Sequence, residues 1–307
     1  MTRSATRVIA QEIKRAAAVS VIAVAAIAVA SLAAAAQQAA STPEYYTPTD
    51  KPEGKAFAKP EAAAAALYAA AKRDDEADLL VILGPGAKGT IHWSDNPAER
   101  QEHRAQFARK YEQMHRLVKE PDDTVALYVG AENWPLPIPL VEYKGAWYFD
   151  TALGRQEIRY RRIGRNEMES LEVCRTLLDA EKEYRGTAHQ YTAKFTSSEG
   201  SRDGLYWKSA DDATKSPIGP YLARAGVSGP TATGSQPFHG YYYRILLEGP
   251  DDLAVVAFPA EYRSSGVMTF LVSQDGKAYE KDLGEQTATL SNQVSSSHAD
   301  NSWKQVQ

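Results

Sequence analysis

The chain has 307 residues, 43% hydrophobic and 24% charged, which is close to the average of globular proteins. This length suffices for one large domain or two ordinary ones, each with a packed core. Residues 1–36 carry four basic and one acidic side chain, so the rest holds 31 basic and 38 acidic groups, a net charge of −7. This acidic balance argues against a nucleic-acid partner, because nucleic acids bind basic faces that release counterions.

The N-terminal segment predicts export. A basic start precedes the apolar run "AAAVSVIAVAAIAVASLAAAA" at residues 16–36, and a polar stretch rich in Pro, Thr and Ser follows. This order is typical of a secretory signal peptide, and Ala34 and Ala36 favour cleavage after Ala36, with Ala40 as the second choice. The alternative is an uncleaved anchor, because 21 apolar residues suffice to span a bilayer. We expect a periplasmic or secreted protein that contacts a membrane only if this segment is retained.

The first half of the exported chain predicts three helices followed by strands. "KPEAAAAALYAAAKRDD" has Pro60 in a first-turn position, and "EADLLVILG" ends at Gly84. A third helix over residues 96–118 places Phe107, Tyr111, Met114 and Val118 on one apolar stripe. The runs "DTVALYVG", "PLPIPLVEY" and "AWYFD" then predict strands.

This arrangement resembles the nuclear transport factor 2-like cone, a fold that often holds a pocket. Trp134, Tyr148 and Asp150 lie on or beside its predicted strands and are candidates for lining the open end. Asp150 suits two roles: a general base if buried in the pocket, or the N-cap of a helix that begins near Gly154. The sequence favours the cap.

The second half predicts one helix on a strand meander. "IGRNEMESLEVCRTLLDAEKEYRG" forms an amphipathic helix of about 20 residues that Gly186 stops, with Cys174 as a buried, inert thiol on its apolar side. The strands "GYYYRILLE", "LAVVAFP", "GVMTFLVS" and "KAYEKDL" follow. The turn "GPDD" joins the first two, and "QDGK" places Asp-Gly at a hairpin between the last two.

Several stretches of the chain carry a family resemblance. "RRIGRNE", "RDGLYW", "SPIGP", "HGYYYRIL", "FPAEY", "SGVMTF" and "DGKAYEKDLG" resemble the bacterial family catalogued as domain of unknown function 2950, over most of residues 57–303. The resemblance implies an exported envelope protein and carries no activity. The second half is also similar to the globular half of type IV pilin-like proteins. More than 120 residues separate its helix from the apolar segment, so this similarity implies a shared shape rather than filament assembly.

We therefore predict an α+β protein in four parts. Its N-terminal helices and antiparallel sheet form a cone-like subdomain, and a long helix on an antiparallel meander forms a pilin-like subdomain. The predicted parts are a signal peptide (1–36), a linker (37–54), the cone-like subdomain (55–162) and the pilin-like subdomain (163–307).

The segment "RDGLYW" is the second candidate site. It crowds Arg202, Asp203, Tyr206 and Trp207 into six residues. Asp-Gly is turn chemistry, with Gly204 tolerating a positive φ, and the aromatic residues pin a long loop onto the sheet. The alternative is a surface that recognises a peptide or a glycan, because Trp, Tyr and Arg dominate binding hot spots.

Signatures of catalysis are missing from the sequence. Six histidines are scattered without an H-E-x-x-H pattern, and neither G-x-S-x-G nor S-x-x-K occurs. We predict no metal and no cofactor, and a non-enzymatic binding or assembly module whose partner is an envelope protein or a cell-wall polymer. The alternatives are a hydrolase or isomerase that uses the cone pocket with Asp150 as base, and an accessory of a pilus or secretion system.

Overall fold

The computed structural model describes residues 51–92, 94–208, 215–227 and 234–306. Two antiparallel five-stranded sheets form the frame, and one long helix contacts residues of both cores. The α+β prediction is confirmed. The predicted signal peptide and most of the predicted linker lie outside the described residues.

The first half contains the predicted helices, and local capping explains where they begin. Pro60 occupies the first turn of its helix, where its missing N–H has no consequence. The side chain of Asp75 accepts the Asp78 amide at 2.9 Å, and that of Asn96 accepts the Ala98 amide at 3.0 Å. The helices are α1 (Pro60–Lys72), α2 (Glu76–Leu83), the single turn α3 (Lys88–Ile91) and α4 (Pro97–Gln113).

The first sheet follows α4 in the order β1-β2-β4-β5, and β3 also pairs with β2. The predicted strand "PLPIPLVEY" is interrupted between Pro135 and Leu140, because prolines in this segment cannot donate to a ladder. The strands are β1 (His115–Lys119), β2 (Val125–Val129), β3 (Trp134–Pro135), β4 (Leu140–Tyr143) and β5 (Ala146–Phe149).

The predicted third helix is too long at its C-terminal end. It stops at Gln113, and residues 115–119 form β1, which pairs with all of β2. The Gly130 amide donates to the carbonyls of Lys110 and Met114 and so joins the end of the helix to the residue that follows β2. Met114 and Val118 therefore do not extend the apolar stripe of Phe107 and Tyr111, because strand pairing overrides the helical pattern.

The helix of the second half is longer than predicted at both ends. This helix, α5 (Thr151–Ala188), has 38 residues and includes the predicted subdomain boundary between residues 162 and 163. Gly186 does not stop it; the C-cap is His189, which adopts the left-handed conformation with φ 60°. Near its start, Gly154 lies against Ile138 of the first core, and farther along Cys174 and Leu177 are fully buried in the second core.

The second sheet confirms the predicted meander and adds an edge strand. Its order is β10-β9-β8-β7-β6, and the turns "GPDD" and "QDGK" join the strands that the sequence predicts. None of the described helices combines the length and apolar character that crossing a bilayer requires. The remaining elements are α6 (Pro220–Ala225), β6 (Tyr241–Leu247), β7 (Leu253–Pro259), β8 (Met268–Ser273), β9 (Ala278–Asp282), α7 (Thr287–Leu290) and β10 (Lys304–Gln305).

Candidate functional site

A groove lies between β2, the proline-rich segment 135–139 and the first turns of α5. We call it the aromatic groove; its volume is about 460 Å³. Strand alternation supplies one wall, because Val125, Leu127 and Val129 are buried while Ala126 and Tyr128 point to the other face. The sheet therefore has one face in the core and one face at the groove.

Helix α5 supplies the opposite wall. Leu153, Gln156, Glu157, Tyr160 and Arg161 line the groove at spacings of three and four residues, so they lie on one helix face. The side chain of Tyr160 remains 54% exposed, as an aromatic residue at a binding surface would. This wall of the groove is thus formed by one face of α5 that is not buried in the core.

An arginine–tryptophan pair lies at the edge of the aromatic groove. The Arg161 guanidinium donates to the Pro135 carbonyl at 2.8 Å and to Glu157 at 2.7 Å. It also lies 5.6 Å from the ring centroid of Trp134, which is 41% exposed. These contacts fix the position of the guanidinium relative to the Trp134 ring. The edge of the groove therefore has an aromatic and a charged group in a defined arrangement.

The lining of the groove is acidic. Glu120, Asp122 and Glu157 contribute three carboxylates against the single guanidinium of Arg161. The hydroxyl of Tyr128 donates to Glu120 at 3.1 Å, and this hydrogen bond raises the pKa of Tyr128, which keeps the phenol protonated. The Arg116 guanidinium lies 4.4 Å from the Tyr128 ring centroid, so the aromatic faces lie among three carboxylates and two guanidinium groups.

The structure does not bring Trp134, Tyr148 and Asp150 together. Tyr148 is buried opposite Val141 in the β4–β5 pair, whereas Trp134 pairs with Val129. Arg161, beside Trp134, lies eleven residues beyond Asp150 on the chain, or ~16 Å along a helix. None of the three predicted residues lines the aromatic groove, and Trp134 lies at its edge against Arg161.

Asp150 caps α5, as the sequence favours. Its carboxylate accepts the Leu153 amide at 3.0 Å, and its own amide donates to the Pro139 carbonyl at 2.9 Å. The residue is 3% exposed, beside a cleft of about 170 Å³. The capping interpretation is confirmed.

The space between the N-terminal helices and the first sheet is filled by side chains. Ala63, Ile82, Leu140 and Phe149 are fully buried there and belong to one apolar cluster. This part of the first half is therefore packed core. The hydrolase or isomerase alternative stays a prediction, and Asp150 borders only the cleft of about 170 Å³ among the cavities described here.

The segment 202–207 forms a turn built around Asp203. Its carboxylate accepts the Ser198 amide at 2.8 Å and the Ser201 hydroxyl at 2.6 Å, and it pairs with Lys194. The lysine and then the serine hold the pKa of Asp203 well below its usual range. Gly204 does not adopt a positive φ as predicted; it is needed because a Cβ would lie 2.9 Å from the Lys194 carbonyl oxygen.

This turn docks on the C-terminal end of α5. The Tyr184 hydroxyl donates to the Arg202 carbonyl at 3.1 Å, and the neighbouring Leu205 is fully buried in the second core. Arg202 lies 5.4 Å from the ring centroid of Trp207, which is half-buried, as is Tyr206. The contacts support a turn that pins the loop onto the core, and recognition by these residues stays a prediction.

Two other side chains complete the account of titratable groups in the core. Cys174 is fully buried, and burial raises the pKa of its thiol, as expected for an inert cysteine. Glu181 on α5 is also fully buried; one carboxylate oxygen accepts the Thr192 amide at 3.0 Å, and the other has no partner among the described residues. Burial raises the pKa of Glu181 to about 7.

Sequence analysis missed Tyr128 and Tyr160 as site residues, and it missed a group formed by Glu248, Asp252 and His298. The alternation in "VALYV" was a usable signal for Tyr128. Tyr160 could be found only once α5 was known to begin at Thr151. His298 lies 46 residues beyond Asp252, so no local spacing marks that group.

Comparison with known proteins places the chain in a family. No curated protein and no solved structure matches it. One family profile, described as "Protein of unknown function (DUF2950)", matches residues 54–306, which include nearly all of the fold described above. The chain therefore belongs to the DUF2950 family.

Proposed function

We propose that this protein is an exported cell-envelope binding module that holds a basic, extended peptide segment of another envelope protein in the aromatic groove. Export is expected from residues 1–36, whose basic start and apolar run have the pattern of a signal peptide. The single observation that carries the binding proposal is the half-open aromatic surface of Tyr128, Tyr160 and Trp134 beside the fixed Arg161.

The shape and lining of the groove support a peptide ligand. Extended segments dock in aromatic-lined grooves because they present side chains at a low cost in conformational entropy. Tyr, Trp and Arg are the residue types that contribute most of the free energy at such surfaces. The groove of about 460 Å³ is lined by Tyr128, Tyr160 and Arg161, and Trp134 lies against Arg161 at its edge.

The charge of the groove selects the ligand class. Three carboxylates outnumber the two guanidinium groups of Arg116 and Arg161, and Arg161 is already paired with Glu157. A ligand with Lys or Arg complements this charge, whereas an acidic segment is repelled. We therefore expect a basic peptide, with binding that weakens as salt is added.

A selection of phage-displayed linear peptides on the purified protein tests the proposal. Enriched peptides should be rich in Lys and Arg, and their Kd should rise at least tenfold on Tyr160→Ala, since truncating an aromatic hot spot costs more than about 1.4 kcal/mol. Tyr221→Ala is the matched control, because Tyr221 is 69% exposed and stacks on Arg224 away from the groove.

Two results would contradict the peptide proposal. Peptides that bind Tyr160→Ala and the parent protein equally would show that the groove is not the site. Co-sedimentation with purified peptidoglycan sacculi that Tyr160→Ala abolishes, without any selected peptide, would assign the groove to a glycan ligand. Export is tested separately by cell fractionation and N-terminal sequencing, with Gln37 as the expected first residue.

A further inference from the structure

A carboxylate–imidazole cluster, defined as Glu248, Asp252 and His298, lies where the C-terminal segment meets the β6–β7 turn. Each side chain offers one ligand atom, and the three atoms lie within 4.8 Å of one another. Across the described ranges, no other group of three His, Cys, Asp or Glu side chains comes this close. The cluster is separate from the aromatic groove, which shares none of its residues.

Tertiary contacts bring the three residues together. The turn between β6 and β7 closes through the Glu248 amide, which donates to the Asp252 carbonyl at 3.1 Å. The C-terminal segment is anchored to the sheet by Arg244, whose guanidinium donates to the carbonyls of Ser291 and Val294. His298, which follows this anchored stretch, is thereby placed beside the turn.

The carboxylate of Glu248 is oriented before any ion binds. Its Oε2 atom accepts the Ser297 hydroxyl at 2.6 Å and the Ser297 amide at 3.0 Å, and Ser297 is 2% exposed. A ligand held in this way loses little entropy when it coordinates an ion.

The imidazole lies between two carboxylates. His298 Nδ1 is 3.6 Å from Glu248 Oε2, and Nε2 is 3.9 Å from Asp252 Oδ1. Ligand atoms at about 2.1 Å from a tetrahedral ion are ~3.4 Å apart, so an ion must draw together three atoms that lie within 4.8 Å of one another. The His298 side chain is 70% exposed, and its Nδ1 atom lies 3.0 Å from the Ser297 hydroxyl, so this contact is exchanged when the ring turns one nitrogen toward both carboxylates.

A polar cavity borders the cluster. It has a volume of about 340 Å³ and is lined by Asp252 and His298 together with Asp275 and Lys277, which pair with each other. Water in such a cavity can fill the coordination positions that three protein ligands leave open.

We propose that Glu248, Asp252 and His298 bind one Zn²⁺ ion, with water from the adjacent cavity completing its coordination. One imidazole and two carboxylates are ligands that Zn²⁺ accepts in tetrahedral sites, and the ion offsets the charge of the two carboxylates. The ion ties the C-terminal segment to the β6–β7 turn and stabilises the contact between them.

The test is a titration of tag-free, EDTA-stripped protein with zinc sulfate, followed by calorimetry and by thermal unfolding. The expected result is one equivalent bound and a higher Tm. His298→Gln, and separately Asp252→Asn, should each weaken the affinity at least tenfold. His189→Asn is the matched control, because His189 is exposed and its left-handed backbone suits Asn.

Zinc affinity and proton NMR can each refute the zinc site. Equal zinc affinity in the parent protein and in His298→Gln would overturn it, as would the absence of binding at 100-fold excess of zinc. Proton NMR of the parent protein should show the imidazole signals of His298 shift with one equivalent of zinc. Signals of His298 that stay unshifted would also overturn it. Thermal unfolding of each variant in EDTA establishes that it is folded.

Discussion

The two sheets differ in how many of their faces are covered. All seven residues of β7 are buried, with Val255 in the cluster beneath α5 and Val256 in a cluster beneath the C-terminal segment. In β2 only alternate residues are fully buried, and Ala126 and Tyr128 line the aromatic groove. The doubly covered strand is a continuous apolar run, whereas the half-open strand alternates. The incompletely covered face of the first sheet is therefore the sheet surface that is available to a ligand.

The largest expected loss of stability comes from a substitution on the face of the second sheet that the C-terminal segment covers. Leu271 on β8 is 1% exposed and packs in the cluster beneath the C-terminal segment. Leu271→Ala should lower the free energy of unfolding by about 2–5 kcal/mol, since it leaves a cavity in a packed core. Urea denaturation measures this loss. Leu247→Ala, at a site 36% exposed, is the control and should cost clearly less; equal costs would mean that the outer face is loosely covered.

The second prediction concerns the pH dependence that Glu181 gives the α5 side of the second core. Burial raises its pKa to about 7 from an ordinary value of 4.5, so the folded protein binds the proton more tightly than the unfolded chain. The free energy of unfolding is therefore highest below pH 4.5. It falls as the pH rises through about 7, by roughly 3 kcal/mol in all.

Glu181→Gln should remove this loss, because the amide oxygen still accepts the Thr192 N–H and no charge is buried. The variant should be more stable than the parent at pH 8 and close to it at pH 4.5, as measured by urea denaturation at both values. Glu183→Gln, at an exposed position on the same helix, is the control. The change in the free energy of unfolding between pH 4.5 and pH 8 is compared in the two proteins. If it is the same in the parent protein and in Glu181→Gln, Glu181 ionises normally.

A smaller effect is expected where the first sheet passes into α5. Asp150→Ala removes the N-cap and should cost about 1 kcal/mol, whereas Asp150→Asn should cost a few tenths because Asn caps nearly as well. Thermal unfolding separates the two variants. If both were equally destabilised, the buried carboxylate would have a role other than accepting the Leu153 amide.

The smallest effect on stability is expected at the groove. Tyr160 is 54% exposed, so Tyr160→Ala should change the free energy of unfolding by less than about 0.5 kcal/mol. Urea denaturation of Tyr160→Ala and Leu271→Ala under the same conditions compares a residue on an open face with one on a covered face. A loss above about 2 kcal/mol would show that Tyr160 packs as a core residue.

Local patterns were sufficient where neighbouring residues decide the structure. The helix at Pro60, the cap at Asp150, the buried Cys174 and the Asp275–Gly276 hairpin depend on residues a few positions apart. Local patterns failed at Met114, where pairing of β1 with β2 ended a helix, and at Gly186, where the helix continued to its cap at His189. At Met114, strand pairing with another part of the chain outweighed intrinsic propensity.

The sequence by itself determined the α+β class, the order of most elements and the family. The tertiary structure alone decided that Tyr128 and Tyr160 share a groove and that His298 lies beside Glu248. The physical reason is distance along the chain. Periodicity and turn chemistry act over a few residues, whereas a site is assembled from side chains that only the folded backbone brings within a few ångströms.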